Sequence, residues 1–136
     1  MFGRKRKEKL HNHIDTLIGI KTHVTGDIHF SGGLRIDGHV SGNITATAEE
    51  PSTLVLSDAG SVEGKIQVTN VIINGTVTGP IHAKEYLELQ ANAKVFGDAH
   101  YGSMEIHLGA SIEGKMIHQD KEQPEKMVPL ISATPD

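Results

Sequence analysis

Histidine is the residue type with the widest chemical scope in this sequence, because nine of the 136 residues are histidine and none is cysteine. Thiol catalysis, disulfides and cysteine-based metal sites are therefore excluded. His82 and His100 occupy the same position in adjacent copies of a repeat, so stacked strands would bring them to about 5 Å from each other. Such a pair could bind a metal ion or sense pH, since protonating both imidazoles would be repulsive. The simpler interpretation is a solvated polar ladder, and we predict no metal site and no cofactor.

Catalytic chemistry finds little support elsewhere in the sequence. Thr25, Ser41 and Thr78 fall at outward positions of the repeat, and the acidic residues are scattered, so the spacing pairs no nucleophile with a base. The phosphate-binding pattern Gly-x-x-x-x-Gly-Lys-Ser/Thr does not occur in the chain. We therefore predict no catalytic residues and a protein that is not an enzyme.

These side chains are carried by an internal repeat, which is the feature that decides the fold. The string Val-x-Gly-x-Ile, or a looser version of it, begins at Val24, Val40, Val62, Val77, Val95 and Ile112. An apolar pair of the form apolar-x-apolar precedes each string, and the predicted first members of these pairs are Ile18, Leu34, Leu54, Val71, Leu87 and Ile106. Successive copies therefore begin 16–20 residues apart.

The apolar residues alternate within each copy, which is typical of half-buried strands. Asp37-Gly38 and Asn74-Gly75 would suit hairpins, but a meander gives no reason for a pattern to recur every 16–20 residues. A coil of that circumference does, because each turn stacks on the previous one. The sequence predicts an all-β, single-domain parallel β-helix of about six turns, about 30 Å long, over residues 18–117. The predicted inward residues include Val24, Ile28, Phe30, Leu34, Ile36, Val40, Ile44, Leu56, Val62, Ile66, Ile73, Val77, Ile81, Leu89, Val95, Ile106, Leu108 and Ile112.

The segments that break the repeat are predicted to be irregular. Residues 45–53 form a loop pushed out of the second turn, and residues 118–136, with three prolines, form a disordered C-terminal tail. Residues 1–17 form a flexible N-terminal tail. A short amphipathic helix is the alternative there, because apolar residues fall at helical spacing at Leu10, Ile14, Leu17 and Ile18.

The repeat also carries a resemblance to a known family. Gly26-Asp-Ile28, the block Gly33-Leu-Arg-Ile-Asp-Gly-His-Val-Ser-Gly-Asn-Ile44 and the tandem Val-x-Gly-x-Ile units resemble the bactofilins, which are bacterial cytoskeletal proteins that polymerise without nucleotide. The resemblance covers residues 18–116. It implies a right-handed β-helix, end-to-end assembly into filaments and attachment to the inner face of the cytoplasmic membrane. It also implies a scaffolding role in cell shape or in the positioning of cell-wall enzymes.

The N-terminal tip resembles the membrane-targeting peptide of that family. Residues 1–9 carry five basic groups and one acidic group, whereas the other 127 residues carry eight basic and sixteen acidic groups. The acidic body argues against nucleic-acid binding. Each basic residue near an anionic leaflet contributes about 1 kcal/mol, and an apolar tip adds to this. The alternative is a solvated basic tail. The predicted membrane-targeting residues are Met1, Phe2, Arg4, Lys5, Arg6 and Lys7.

The two ends of the predicted β-helix are apolar, and no long ordered cap follows either of them. Terminal strands leave backbone groups unpaired, which favours pairing with another copy. The alternative is that the flanking segments fold over the ends. The predicted polymerisation interface consists of Ile18, Ile20, Val24, Ile106, Leu108, Ile112 and Met116.

Two other functions remain open at this point. Left-handed β-helices built of hexapeptide repeats include acyltransferases and zinc-dependent carbonic anhydrases, but they require a strict spacing of six, and this chain mixes spacings of four and six residues. An adaptor could dock partners through Met127-Val-Pro-Leu-Ile131, and this hypothesis is compatible with a scaffold.

Overall fold

The computed structural model describes residues 14–119, which form fifteen β-strands and no helix. Each turn of the chain has three short strands, one on each of three faces. Face A contains β1 (Thr16–Ile18), β4 (Gly33–Ile36), β7 (Thr53–Leu56) and the second halves of β9 (Ile66–Ile73), β11 (Ile81–Leu89) and β13 (Ala99–Ile106). Face B contains β2 (His23–Thr25), β5 (His39–Ser41), β8 (Ser61–Glu63), β10 (Thr76–Thr78), β12 (Lys94–Phe96) and β14 (Ser111–Glu113). Face C contains β3 (Ile28–Phe30), β6 (Ile44–Ala46), the first halves of the three long strands and β15 (Met116–His118).

Every pair of neighbouring strands is parallel and joins one turn to the next. On face B the register stacks the first residue of the repeated string in one column of Val24, Val40, Val62, Val77, Val95 and Ile112. The six-stranded face B gives the number of turns. The prediction of an all-β parallel β-helix of about six turns is therefore confirmed.

The core is a narrow apolar column inside the three faces. Of the eighteen residues predicted to point inward, twelve are buried, and Val24, Ile28, Phe30 and Ile112 are half-buried against the core. The twelve buried residues are Leu34, Ile36, Val40, Ile44, Leu56, Val62, Ile66, Ile73, Val77, Ile81, Leu89 and Val95. The buried hydrophobic residues are all aliphatic, which is consistent with a sequence that is only 4% aromatic.

The predicted register of the first and last copies is wrong by two residues. Thr16 and Ile18 pair with Leu34 and Ile36, so the first apolar pair does not begin at Ile18. In the last copy the pair begins at Met104, opposite Leu87, and not at Ile106. A slip of two residues leaves every side chain on its own face, because the side-chain period of a strand is two. Alternation alone could therefore not detect the error.

The corner between faces A and B sets the register of the first and last copies. Four turns use a four-residue corner closed by a hydrogen bond from the fourth N–H to the first carbonyl, as in Gly60 to Ser57 at 2.9 Å. The first and last turns share this corner, with Thr22 donating to Gly19 at 3.0 Å and Ala110 donating to His107 at 3.2 Å. The fourth corner of this kind is closed by the Ala93 N–H, which donates to the Gln90 carbonyl at 2.9 Å. The other two turns use the shorter Asp37-Gly38 and Asn74-Gly75 segments.

The repeated glycine lies where consecutive turns approach most closely. Gly79 has a φ of +141°, and a Cβ added to it would lie 2.3 Å from the carbonyl oxygen of Gly64 in the preceding turn. Only glycine combines that conformation with that contact. The Gly in Val-x-Gly-x-Ile is therefore a requirement of the stacking.

The loop predicted at residues 45–53 is present but shorter, at residues 47–52, because Thr45 and Ala46 belong to β6 and Thr53 belongs to β7. Its last residue, Ser52, is 2% exposed, and its carbonyl accepts the backbone N–H of Asn70 at 2.9 Å and the Asn70 Nδ2 at 3.2 Å. The alternative of an N-terminal helix is wrong for Leu17 and Ile18, which belong to β1. The N-terminal tip and most of the predicted C-terminal tail lie outside the described residues.

Candidate assembly surfaces and polar clusters

Each terminal turn of the rod ends in a triangle of three inward-facing residues, one from each face. These three residues are covered by a neighbouring turn on one side only. At the N-terminal end these residues are Ile18, Val24 and Ile28, which are half-buried. At the C-terminal end they are Ile106, Ile112 and Met116, of which Ile106 is 48% exposed and Met116 is 41% exposed. The column mates of these six residues inside the rod are fully buried. The exposure is therefore a consequence of position at the end of the stack.

Two residues of the predicted interface lie beside these triangles and not in them. Ile20 and Leu108 occupy the second position of the four-residue corner, where the other turns have Asp58 and Ala91. They are 67% and 95% exposed, so the inward position predicted for Leu108 is wrong. Ile28 completes the N-terminal triangle although it is not among the predicted interface residues, and the first Val-x-Gly-x-Ile string ends on it.

Backbone groups add to the apolar character of both ends. Among residues 14–119, strands β1, β2 and β3 pair with the second turn only, and β14 and β15 pair with the fifth turn only. Their outer edges therefore offer N–H and C=O groups for a further parallel or antiparallel strand. An apolar triangle rimmed by open strand edges is suited to stacking on a similar surface.

The histidine pair singled out in the sequence does form a ladder. The predicted column of His29, Thr45, Gln67, His82, His100 and Ile117 is present in the register of face C. The rings of His82 and His100 stack with centroids 4.2 Å apart and planes 8° from parallel. Burial lowers the pKa of His82, and the neighbouring His100 and Lys65 lower it further. His82 therefore stays neutral down to a lower pH than an exposed imidazole does.

A second histidine cluster on face B was not recognised from the sequence. His23 and His39 lie in register on β2 and β5, with ring centroids 4.4 Å apart and planes 85° from parallel. The Nε2 atoms of both rings lie 3.1 Å from the same Oγ atom, that of Ser41. The signal was available, because His23 and His39 each immediately precede the repeated Val and so had to stack.

A third cluster joins the fifth and sixth turns on face A. The hydroxyl of Tyr86 donates towards Glu88 Oε1 at 2.7 Å and Glu105 Oε1 at 3.0 Å. His107 Nε2 lies 3.3 Å from Glu88 Oε2 and 3.4 Å from Glu105 Oε2. Burial, followed by the hydrogen bonds to the two carboxylates, raises the pKa of Tyr86 far above its usual range. The cluster ties the last turn to the one before it.

Residues 14–119 contain neither of two further kinds of site. No group of three or more His, Asp or Glu side chains in this range is placed to hold a metal ion. This range also contains no helix that is long and apolar enough to cross a membrane. The predicted membrane-targeting residues, Met1, Phe2 and residues 4–7, lie outside it.

Comparisons with known proteins agree with this architecture. A family model described as Bactofilin, polymer-forming cytoskeletal, matches residues 16–117. Bactofilin BacO of Myxococcus xanthus (strain DK1622) is 34% identical over 109 residues, which are 80% of this chain and 83% of BacO. Bactofilin BacP of the same organism is 30% identical over 108 residues, and the chain spans only 43% of its length. No solved structure matches the chain.

The fold, the open ends and the family model together define the class, which is that of polymer-forming cytoskeletal proteins. Within that class, the chain belongs to the bactofilin family.

Proposed function

We propose that this protein is a nucleotide-independent scaffold that polymerises end to end on the inner face of the bacterial cytoplasmic membrane. The observation that carries the proposal is the pair of open apolar triangles, Ile18–Val24–Ile28 and Ile106–Ile112–Met116. Ile20 and Leu108 enlarge the apolar area at each end. Stacking one triangle on another buries side chains that the isolated rod leaves half in water.

The energetics of stacking favour a polymer of modest strength per joint. Complete burial of an aliphatic side chain contributes about 1.5–3 kcal/mol, and Leu108 is nearly fully exposed before assembly. Several such residues at each end, with the backbone pairing, suffice for a joint between copies. No bound nucleotide is needed in this scheme.

The N-terminal tip supplies the proposed membrane contact. Four basic residues at about 1 kcal/mol each, with Met1 and Phe2 entering the interface, give one copy a weak and reversible affinity for anionic lipid. A polymer presents many tips at once, so its attachment is much tighter than that of a single copy. Assembly and membrane binding would then reinforce each other.

Cell-wall enzymes or their regulators are the proposed protein partners, and cell shape or the positioning of those enzymes is the proposed role. The alternative of an acyltransferase or carbonic anhydrase-like enzyme is less well supported. In the face B column, successive turns advance by between 15 and 22 residues, so strict hexapeptide spacing is absent.

The test of assembly is negative-stain electron microscopy of the untagged chain at physiological salt, with no nucleotide or metal added. We expect filaments or sheets of protofilaments about 3 nm wide, which is the scale of a solenoid with three short strands per turn. Discrete monomers or trimers at all concentrations would contradict the scaffold and favour the enzyme hypothesis.

The test of membrane attachment is co-sedimentation with anionic liposomes. Replacing Phe2 with serine, or residues 4–7 with neutral ones, should release the protein from the liposomes while filaments still form. A matched variant with two neutralised lysines on the rod, Lys65 and Lys94, should stay bound. Loss of filaments in the tip variants would instead place the tip in the polymer contact.

A further inference from the structure

We infer that face B carries a binding site for a divalent transition-metal ion such as zinc, held by His23 and His39 across the first two turns. The site is independent of the proposed assembly function. It is formed by two imidazoles that point at one position, with a carboxylate close by.

The convergence of the two rings is the first observation. His23 Nε2 and His39 Nε2 each lie 3.1 Å from Ser41 Oγ, so a single small partner already satisfies both nitrogens. Zinc binds imidazole nitrogen at about 2.0–2.1 Å. The His23 ring is exposed, so it can rotate until its Nε2 and the Nε2 of the half-buried His39 both reach a shared ion. The hydroxyl of Ser41 then gives up its place as the shared partner.

The orientation of His39 is the second observation. Its other ring nitrogen, Nδ1, is hydrogen bonded to the hydroxyl of Ser61 in the third turn. When Nδ1 donates this hydrogen bond, Nε2 carries the lone pair that a metal ion requires. Such an outer partner fixes the tautomer and the direction of a ligating imidazole. His39 is therefore prepared as a ligand before any ion arrives.

A third protein ligand is within reach of the same position. Glu63 Oε1 lies 4.0 Å from His39 Nε2, and its side chain is 64% exposed. That exposure leaves the carboxylate able to rotate towards the ion, and water completes the coordination. Two histidines and a carboxylate are a ligand set that zinc accepts. Only His23 and His39 converge before the ion binds, and Glu63 must move to join them. This is why residues 14–119 contain no preformed group of three metal-binding side chains.

The other histidine pair provides the contrast. His82 and His100 are as close as His23 and His39, but their planes are only 8° from parallel and their rings lie face to face. The lone pairs of an imidazole lie in its plane, so stacked rings direct them along parallel lines that do not meet. Rings at 85° can direct theirs to one point. The cluster that resembles a metal site in the sequence is thus the less suitable one.

The experiment is isothermal titration of zinc chloride into the untagged full-length chain at pH 7.5. We expect one site per chain, with the affinity lowered at least tenfold in both His23→Gln and His39→Gln. Ser61→Ala should weaken binding about tenfold although it removes no ligand, because outer partners of metal-bound histidines typically matter by 10–100-fold. The matched control is the double variant His82→Gln/His100→Gln, which should bind as tightly as the wild type.

A second measurement separates a lost site from a lost fold. Zinc that bridges β2 and β5 should slow amide hydrogen exchange in β2 of the wild type, and this protection should be absent from His39→Gln although its far-ultraviolet circular dichroism is unchanged. Wild-type affinity in both single variants would overturn the inference and would assign the ion to other histidines, such as His11 and His13. Loss of binding in the control variant would overturn it as well.

Discussion

Replacing Met116 with glutamate tests the proposed C-terminal assembly surface directly. Met116 is 41% exposed in the isolated rod, so covering it in a joint contributes about 0.6–1.2 kcal/mol of the 1.5–3 kcal/mol for complete burial. A carboxylate enclosed there without a partner costs several kcal/mol of desolvation. The two effects together exceed about 3 kcal/mol, which corresponds to a rise of more than about a hundredfold in the critical concentration for assembly.

The matched control for this variant is Phe96→Glu. Phe96 is 42% exposed, nearly the same as Met116, but it lies on the outer side of β12, which has a paired strand on both sides in face B. Critical concentrations are read from sedimentation of a dilution series, with circular dichroism to confirm that both variants fold. Filaments of Met116→Glu that form at the wild-type concentration, or equal inhibition by both variants, would show that end-to-end stacking does not run through this triangle.

Three further predictions concern the rod itself. Gly79→Ala should lower the free energy of unfolding by at least about 1–3 kcal/mol, because it adds backbone strain and a clash with the Gly64 carbonyl. Gly19→Ala has open space around the added Cβ and should be nearly neutral in the same denaturant titration. The pKa of His82 is lowered in the folded state, so the unfolded chain binds more protons than the folded chain near and below about pH 6.5. The free energy of unfolding should therefore fall as the pH drops from about 7 to about 5, and it should fall less steeply with pH in His82→Gln. Tyr86→Phe should lower the free energy of unfolding by about 1–3 kcal/mol, because it removes the donor shared by two carboxylates. The pKa of Tyr86 is raised far above its usual range, so the variant should develop the same tyrosinate absorbance below about pH 11 as the folded wild-type protein.

The sequence was sufficient for the faces of the rod but not for the register at its ends. Alternation identified the inward column because each strand shows one face to the core, as at Val62 and Ile66. It could not separate Ile18-x-Ile20 from Thr16-x-Ile18, since both pairs have the same parity and only the corner hydrogen bonds distinguish them. Errors of this kind fall in the terminal turns, where a polar or flexible residue replaces one of the repeated apolar residues.

The polar clusters show a related difference between stacking and orientation. The sequence indicates which residues share a column, and it correctly placed His82 beside His100. Chemistry depends in addition on ring orientation, which neighbouring side chains decide. Ser41 and Ser61 turn the face B rings into a convergent pair, whereas the rings of His82 and His100 lie flat on each other. Recurrence in a repeat therefore predicts proximity but not a site.

The open ends have a physical cause that also explains why the proposed polymer needs no nucleotide. In a solenoid each turn is stabilised mainly by its two neighbours, so stability is close to a sum of turns and the contacts between them. In the face B column Val62 is fully buried between two turns, whereas Val24 and Ile112 at the two ends are only half-buried. A second copy stacked on either end supplies the missing neighbour through the same apolar contacts and strand pairing that join turns within the chain. The free energy of such a joint comes from completing the fold, so no separate energy source has to drive it.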